Sequence, residues 1–233
     1  NQTVDVLLFV GGTHLALEYG LTINEIKARG FHIDDTFDFC LNSGDSATLL
    51  RSLGIMTYEL EKVFSSHNFD AICVLGDRFE LLPIVQAAIL YKKPIIHICG
   101  GEATEGIIDE QIRHMITKAA HLHFLACEGY AENVRQMGEE AWRIENTGSL
   151  ATDAIVKVPR IPKQDIFDEL GLSMNTPVAI LTYHPVTLEF GISLEDQIGN
   201  VFSALEPFNL QVVITAPSME VDREKILRII QDE

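Results

Sequence analysis

Residues 94–102 read PIIHICGGE. A short apolar run, Pro94–Ile98, ends in Cys99, two glycines and Glu102. Strand interiors favour neither a glycine pair nor a carboxylate. The stretch therefore reads as a buried strand that delivers a tight turn and a charge. The same pattern recurs along the chain. VDVLLFV (Val4–Val10), AICVL (Ala71–Leu75), HFLAC (His123–Cys127), VAILTY (Val178–Tyr183) and LQVVITA are further apolar strand candidates. Helical patterns stand between them: Leu15–Arg29, a long helix capped by Asp45 or Ser46 and ending near Ser66, Phe79–Tyr91, Asp109–Ala120, Glu128–Met137, one near Leu194–Leu205, and a last one in REKILRII. Apolar strands alternating with helices call for a parallel sheet covered on both faces, the doubly wound α/β class. Ligands in that class sit beyond the carboxyl ends of the strands. The loops that follow the strands are where function is to be sought.

After Asn146–Leu150 the texture changes. VKVPRIPKQD carries two prolines and reads as a linker. The expected organisation is a Rossmann-like domain over residues 1–155, with its first strand missing, and the truncated start of a second α/β domain over 156–233. The chain has no initiator Met and stops inside a helical pattern, so the sequence reads as a fragment.

Composition narrows the partners. The 233 residues carry a formal net charge of −17. That argues against nucleic acid, whose phosphates are held mainly by Lys and Arg. A phosphorylated small molecule needs only a few local donors and stays open. No apolar stretch is long enough to span a bilayer, so no membrane partner is expected. Cys40, Cys73, Cys99 and Cys127 are scattered and mostly sit in apolar runs. They read as buried reduced thiols of a cytoplasmic protein, without metal-site spacing.

The strand ends, read together, carry ionisable groups. After FV come Gly11, Gly12, Thr13 and His14; after AICVL come Gly76, Asp77 and Arg78; after PIIHI come Cys99, Gly100, Gly101 and Glu102; after VAILTY come His184 and Pro185. Asp77 alone reads equally well as the cap of the next helix. Gly100 and Gly101 read as a plain turn or as bare backbone that a ligand can approach closely. In IIDEQIRHMITK, Asp109 and Arg113 are four apart and share a helix face. They are either an internal ion pair or a carboxylate and a phosphate-binding fork at one edge. Asp109 and Glu110, if near Asp77 and Glu102, raise one another's proton affinity, which suits proton transfer. His97, His121 and His123 lie in or beside strands and read as structural, whereas His184 points from a strand end towards the ligand edge.

The segments GTHLALEYGLTINEI, VLGDRFELLPI, HICGGEATEGIIDEQIRHMITKAAHLHF, NTGSLATD and TYHPVTLE occur in that order. Together they resemble the hydrolysing UDP-N-acetylglucosamine 2-epimerases of sialic-acid biosynthesis. The branch acting on UDP-diacetylbacillosamine in legionaminic-acid biosynthesis is the nearer likeness. The resemblance covers nearly the whole chain. It implies a glycosyltransferase-B-like fold, two Rossmann-type domains with a UDP-sugar bound between them, no cofactor and no metal, and a homo-oligomer, dimer or tetramer, when complete. It implies loss of the C2 proton with expulsion of UDP to give a glycal, then hydration to a free manno-configured sugar. By motif position it makes Asp77, Glu102, Asp109 and Glu110 the acid and base candidates. It makes His14, Arg78, Gly100, Gly101, Arg113, His114, Gly148, Ser149 and His184 substrate-binding. Cys99 stands where some members have Glu and others His, which leaves the C2 base open. The alternatives are a non-hydrolysing 2-epimerase, a UDP-sugar-binding fragment without turnover, or an inactive homologue.

Overall fold

A computed structural model describes residues 4–41, 45–186, 188, 191–217 and 222–232. The chain separates into two units, Asn1–Ser149 and Leu150–Glu233.

The first unit is built on parallel strands. β1 (Phe9–Gly11) pairs with β2 (Asp35–Phe37). β3 (Ile72–Leu75), β4 (Ile95–Ile98), β5 (Leu122–Leu125) and β6 (Ile144–Asn146) form a four-stranded parallel sheet in that order. Five helices connect them: α1 (Ile23–Ala28), α2 (Ser46–Ser66), α3 (Leu81–Leu90), α4 (Ile108–Ala119) and α5 (Glu128–Gln136). Each parallel step needs such a crossover, because adjacent parallel strands cannot be joined by a tight hairpin. Asp45 starts α2 by accepting from the backbone N–H groups of Ala47 and Thr48, both at 3.0 Å. That satisfies two of the helix's four unpaired donors. Met56, Leu60, Val63 and Phe64 from α2 form one core with Phe37, Val74, Val85, Ile95, Ile112 and Ile116.

Two expectations fail at the N-terminal end. Val4–Val10 is not one buried strand: pairing is confined to Phe9–Gly11, while Val4 and Val6 are 84% and 76% exposed. Leu8 instead donates to the Asp34 carboxylate at 2.7 Å. Leu15–Arg29 is not one helix. Gly20 and Leu21 both take positive φ, 83° and 48°, which breaks the run into 3-10 turns and the short α1. The buried-thiol expectation fails for Cys73 and Cys127, which are exposed. Cys73 lies on β3, the edge strand of the four-stranded sheet.

The second unit contains α6 (Leu150–Lys157), α7 (Lys163–Glu169), β7 (Val178–Leu181), α8 (Leu194–Leu205), β8 (Gln211–Ile214) and α9 (Arg223–Asp232). β7 and β8 pair in parallel. Ser193 caps α8 by accepting from the Asp196 N–H at 3.0 Å. The β-α-β pattern of the first unit is thus repeated.

Candidate active site

The loops after β3 and β4 and the first turns of α4 meet at one edge of the four-stranded sheet. β3 ends in Gly76, whose N–H continues the ladder to the Ile98 carbonyl at 2.9 Å and whose φ of 80° turns the chain sharply. Asp77 follows. β4 ends in Cys99, itself at φ 63°, then Gly100, Gly101 and Glu102. A cysteine in the left-handed region is strained, and such strain concentrates at functional turns.

Arg113 joins these loops. It is 3% exposed, and each of its three nitrogens donates to protein. Nε and Nη2 fork the Asp77 carboxylate, with Nε at 2.9 Å; Nη1 reaches the Glu102 carbonyl at 2.8 Å and Thr104 Oγ1 at 3.3 Å. Of the two readings of Arg113, an ion pair or a fork offered to phosphates, the contacts seen are those of an ion pair, made with Asp77 rather than with Asp109. A buried guanidinium must be paired, and this one is committed to Asp77 and the Glu102 loop.

Asp109 sits one turn before Arg113 on the same face of α4. Burial pushes its carboxyl above the ordinary range, the neighbouring Asp77 charge adds to that, and Arg78 and Arg113 oppose it. Two carboxylates, one from the loop after β3 and one from the first turn of α4, thus feel each other, and Asp109 holds its proton more tightly. Burial, then Glu102 and Asp77, push the Cys99 thiol upward as well. At neutral pH it is a protonated thiol, so it is no base, and proton abstraction falls to the carboxylates. Asp77, Cys99, Glu102, Asp109 and Arg113 accordingly share one locality.

The remaining candidates take distinct places. Glu110 accepts from the Thr104 N–H and lies 3.5 Å from His114 Nε2, so it holds the loop and the helix together. Arg78 is bound by its own loop: Nε lies 3.2 and 3.1 Å from the two Glu80 oxygens and Nη2 2.9 Å from one of them. Gly100 and Gly101 are buried, and the space over each is filled by protein. A methyl group on Gly100 would lie 2.8 Å from His97 Nδ1 and 2.9 Å from Thr117 Oγ1; on Gly101 it would lie 2.5 Å from the Tyr130 carbonyl. On that side the close approach they permit is of strand and helix, not of ligand. His14 follows β1, is exposed, and bonds Thr22 Oγ1 at 2.8 Å. Gly148, at φ 81°, and Ser149 follow β6. His184 follows β7 in the second unit, and Thr187 and Glu189 of TYHPVTLE lie outside the described residues.

Sequence reasoning missed Thr104 and Thr117, which hold the site from behind, and treated His97 only as a structural histidine. No spacing signal marks such contacts, because they join residues far apart in the chain. Among the described residues, no group of three or more His, Cys, Asp or Glu is placed to hold a metal ion. No described helix is long and apolar enough to cross a membrane.

Comparison with known proteins agrees with this architecture. The family model for UDP-N-acetylglucosamine 2-epimerase matches residues 1–232. The GDP/UDP-N,N'-diacetylbacillosamine 2-epimerase (hydrolyzing) of Campylobacter jejuni is 31% identical over 233 residues, all of this chain and 60% of that protein. The UDP-N,N'-diacetylbacillosamine 2-epimerase (hydrolyzing) of Legionella pneumophila is 32% identical over 233 residues, all of this chain and 61% of its own length. The chain thus spans about three fifths of these relatives. Among solved structures, the UDP-GlcNAc 2-epimerase of Neisseria meningitidis bound to UDP-GlcNAc superposes with a TM-score of 0.69 at 17% identity, over 97% of this chain and 69% of that one. That of Rickettsia bellii gives 0.68 at 17% identity, over 96% and 65%. The fold is accordingly the α/β, glycosyltransferase-B-like fold of these enzymes. The carboxylate edge, the family match and the shared fold converge: the chain belongs to the UDP-N-acetylglucosamine 2-epimerase family.

Proposed function

We propose that the protein is a cytoplasmic hydrolysing UDP-sugar 2-epimerase, acting on UDP-N,N'-diacetylbacillosamine or UDP-N-acetylglucosamine in the supply of sialic- or legionaminic-type sugars. The observation that carries the reading is the Asp77–Asp109 pair, in which partial burial, and then the charge of Asp77, raise the pKa of the Asp109 carboxyl. The names of the Campylobacter and Legionella relatives favour the hydrolysing branch and the diacetylated sugar.

The chemistry needs such a pair. A C2 proton beside an acetamide is weakly acidic, so its removal demands a well-placed base and a stabilised leaving group. The base takes the C2 proton as the C1–O bond breaks, UDP departs with the electron pair, and a C1=C2 glycal remains. Water then adds at C1 while an acid returns a proton to C2 on the opposite face. Asp77 and Asp109 fill the acid and base roles, with Glu102 at the rim as a further carboxylate. Cys99 stays a neutral thiol throughout.

Incubation with each UDP-sugar in deuterated water tests this reading. The expected outcome is free UDP in the phosphorus NMR spectrum and a released sugar carrying one solvent deuteron at C2. A 2-epimerised sugar still joined to UDP would assign the non-hydrolysing reaction. Binding without release of UDP would remove the enzymatic reading.

A further inference from the structure

One buried imidazole supports the turn on which Asp77 stands. His97 is fully buried in β4, in register with Val74 of β3 and His123 of β5. Its Nε2 lies 2.8 Å from the Gly76 carbonyl oxygen, and its Nδ1 lies 3.2 Å from Thr117 Oγ1. A carbonyl oxygen can only accept, so Nε2 carries the hydrogen. Nδ1 is then the acceptor, and the Thr117 hydroxyl donates to it. One neutral tautomer satisfies both contacts. The groups facing the ring are His123 on β5, Asp77 in the loop after β3 and Arg113 on α4; burial is the main influence and keeps its pKa down at about 4.

Thr117 and Arg113 are four apart on α4, so they share a face. That face holds Asp77 twice. Arg113 binds the carboxylate directly, and Thr117 orients His97, which binds the peptide carbonyl immediately before Asp77. The fit is closed on the remaining side, where even a methyl group on Gly100 would meet both His97 and Thr117. Arg113 fixes the carboxylate's distance from α4. The plane of the Gly76 peptide, and with it the direction from which the side chain leaves the backbone, is set by the His97 bond.

We propose that His97 is a positioning residue, which aims the Asp77 carboxylate by holding the Gly76 carbonyl. Without that donor the carbonyl would lose its partner in a partly buried turn, and the Gly76–Asp77 peptide would rotate to find another. The kinetic half of the test rests on the hydrolysing-epimerase reading, whereas the spectroscopic half does not.

Three variants of the full protein decide it: His97→Leu, which removes the bond, His97→Gln, which keeps an N–H at similar reach, and Thr117→Val, which removes only the hydroxyl that orients the ring. Circular dichroism reports folding, carbon NMR follows the Asp77 carboxyl through its titration, and UDP release gives kcat and KM. His97→Leu is expected to displace the Asp77 midpoint and to lower kcat about tenfold or more while KM changes less than about threefold. His97→Gln is expected to restore most of both. A folded His97→Leu protein with the wild-type Asp77 titration overturns the proposal. So does a Gln variant as impaired as the Leu variant, because packing rather than the bond would then explain the loss. If His97→Leu does not fold, Thr117→Val carries the decision: a smaller Asp77 displacement in the same protein supports the proposal, and none overturns it. If wild type releases no UDP, the epimerase reading falls while the Asp77 titration still decides the role of His97.

Discussion

At the scale of single residues, the glycines after the strands differ in what they exclude. Gly101 combines φ 73° with a Tyr130 carbonyl 2.5 Å from where a Cβ would sit. Gly100 lacks the positive φ but has His97 and Thr117 atoms at 2.8 and 2.9 Å. Gly138, at φ 91°, has nothing within 4 Å. Urea unfolding of the three Gly→Ala variants should therefore rank them. Gly138→Ala should cost about 1 kcal/mol, the left-handed penalty alone. Gly100→Ala should cost about 2 kcal/mol from overpacking, and Gly101→Ala more than either, since strain and clash add. Equal costs at all three would contradict the packing described. The sequence marks Gly100 and Gly101 as a special turn, and that much was legible. What the glycines make room for was not, because Thr117, Tyr130 and Val134 are brought to them by tertiary folding.

At the scale of elements, α4 organises both ends of its sheet. Near its start Arg113 holds Asp77 and the Glu102 loop. Near its end Lys118 donates to Glu139, whose side chain is 6% exposed and lies 3.6 Å from His123 Nε2. Burial works to raise the Glu139 carboxyl, but the Lys118 bond and charge and the His123 contact outweigh it, so its pKa is lowered. A carboxylate with a depressed pKa contributes stability above its unfolded pKa and loses it as pH falls through the folded one. Lys118→Met should accordingly cost about 2 kcal/mol near pH 7 and much less once Glu139 is protonated. A cost that is the same at both pH values would contradict the pairing. Arg113→Met should be the harsher change, about 3–5 kcal/mol, because it strands the Asp77 carboxylate in a partly buried site. Arg113→Lys should not rescue it, since an ammonium cannot reproduce the fork. α2 and α8 were legible with their boundaries, because Asp45 and Ser193 cap them and their apolar residues recur at helical period. β2 and β6 were not, being three residues each and carrying Asp, Thr, Glu or Asn. The expected helix from Leu15 to Arg29 failed because apolar spacing outvoted Gly20, where backbone geometry ends the run.

At the scale of the whole molecule, two fully buried histidines lie side by side in the central sheet. Burial lowers the pKa of both, that of His97 from 6.5 to about 4. Between those values the unfolded chain binds a proton that the native state does not, so stability rises with pH across the window and is lost on acidification. For His97 the shift corresponds to roughly 3 kcal/mol between pH 7 and pH 4. Urea midpoints at pH 7 and pH 5 should show the decline, and His97→Gln should flatten it. Asp109 works in the opposite direction: its raised pKa costs stability at neutral pH and is relieved by acid. A carboxyl held at that disadvantage beside another is the arrangement that the proposed proton transfer requires. The alternation of strands and helices made the architecture readable from sequence, and with it the strand ends where the candidate residues lie. The commitment of Arg113 to protein partners was not readable, because it depends on how far α4 is buried.

The most direct measurement of the central claim is the titration of Asp109, followed by carbon NMR of its carboxyl group in the wild-type protein and in Asp77→Asn. The account requires the Asp109 pKa to lie above the ordinary carboxylate range in the wild type, and to fall when the Asp77 charge is removed. An Asp109 midpoint that is the same in both proteins would mean that the two carboxyls do not share a site.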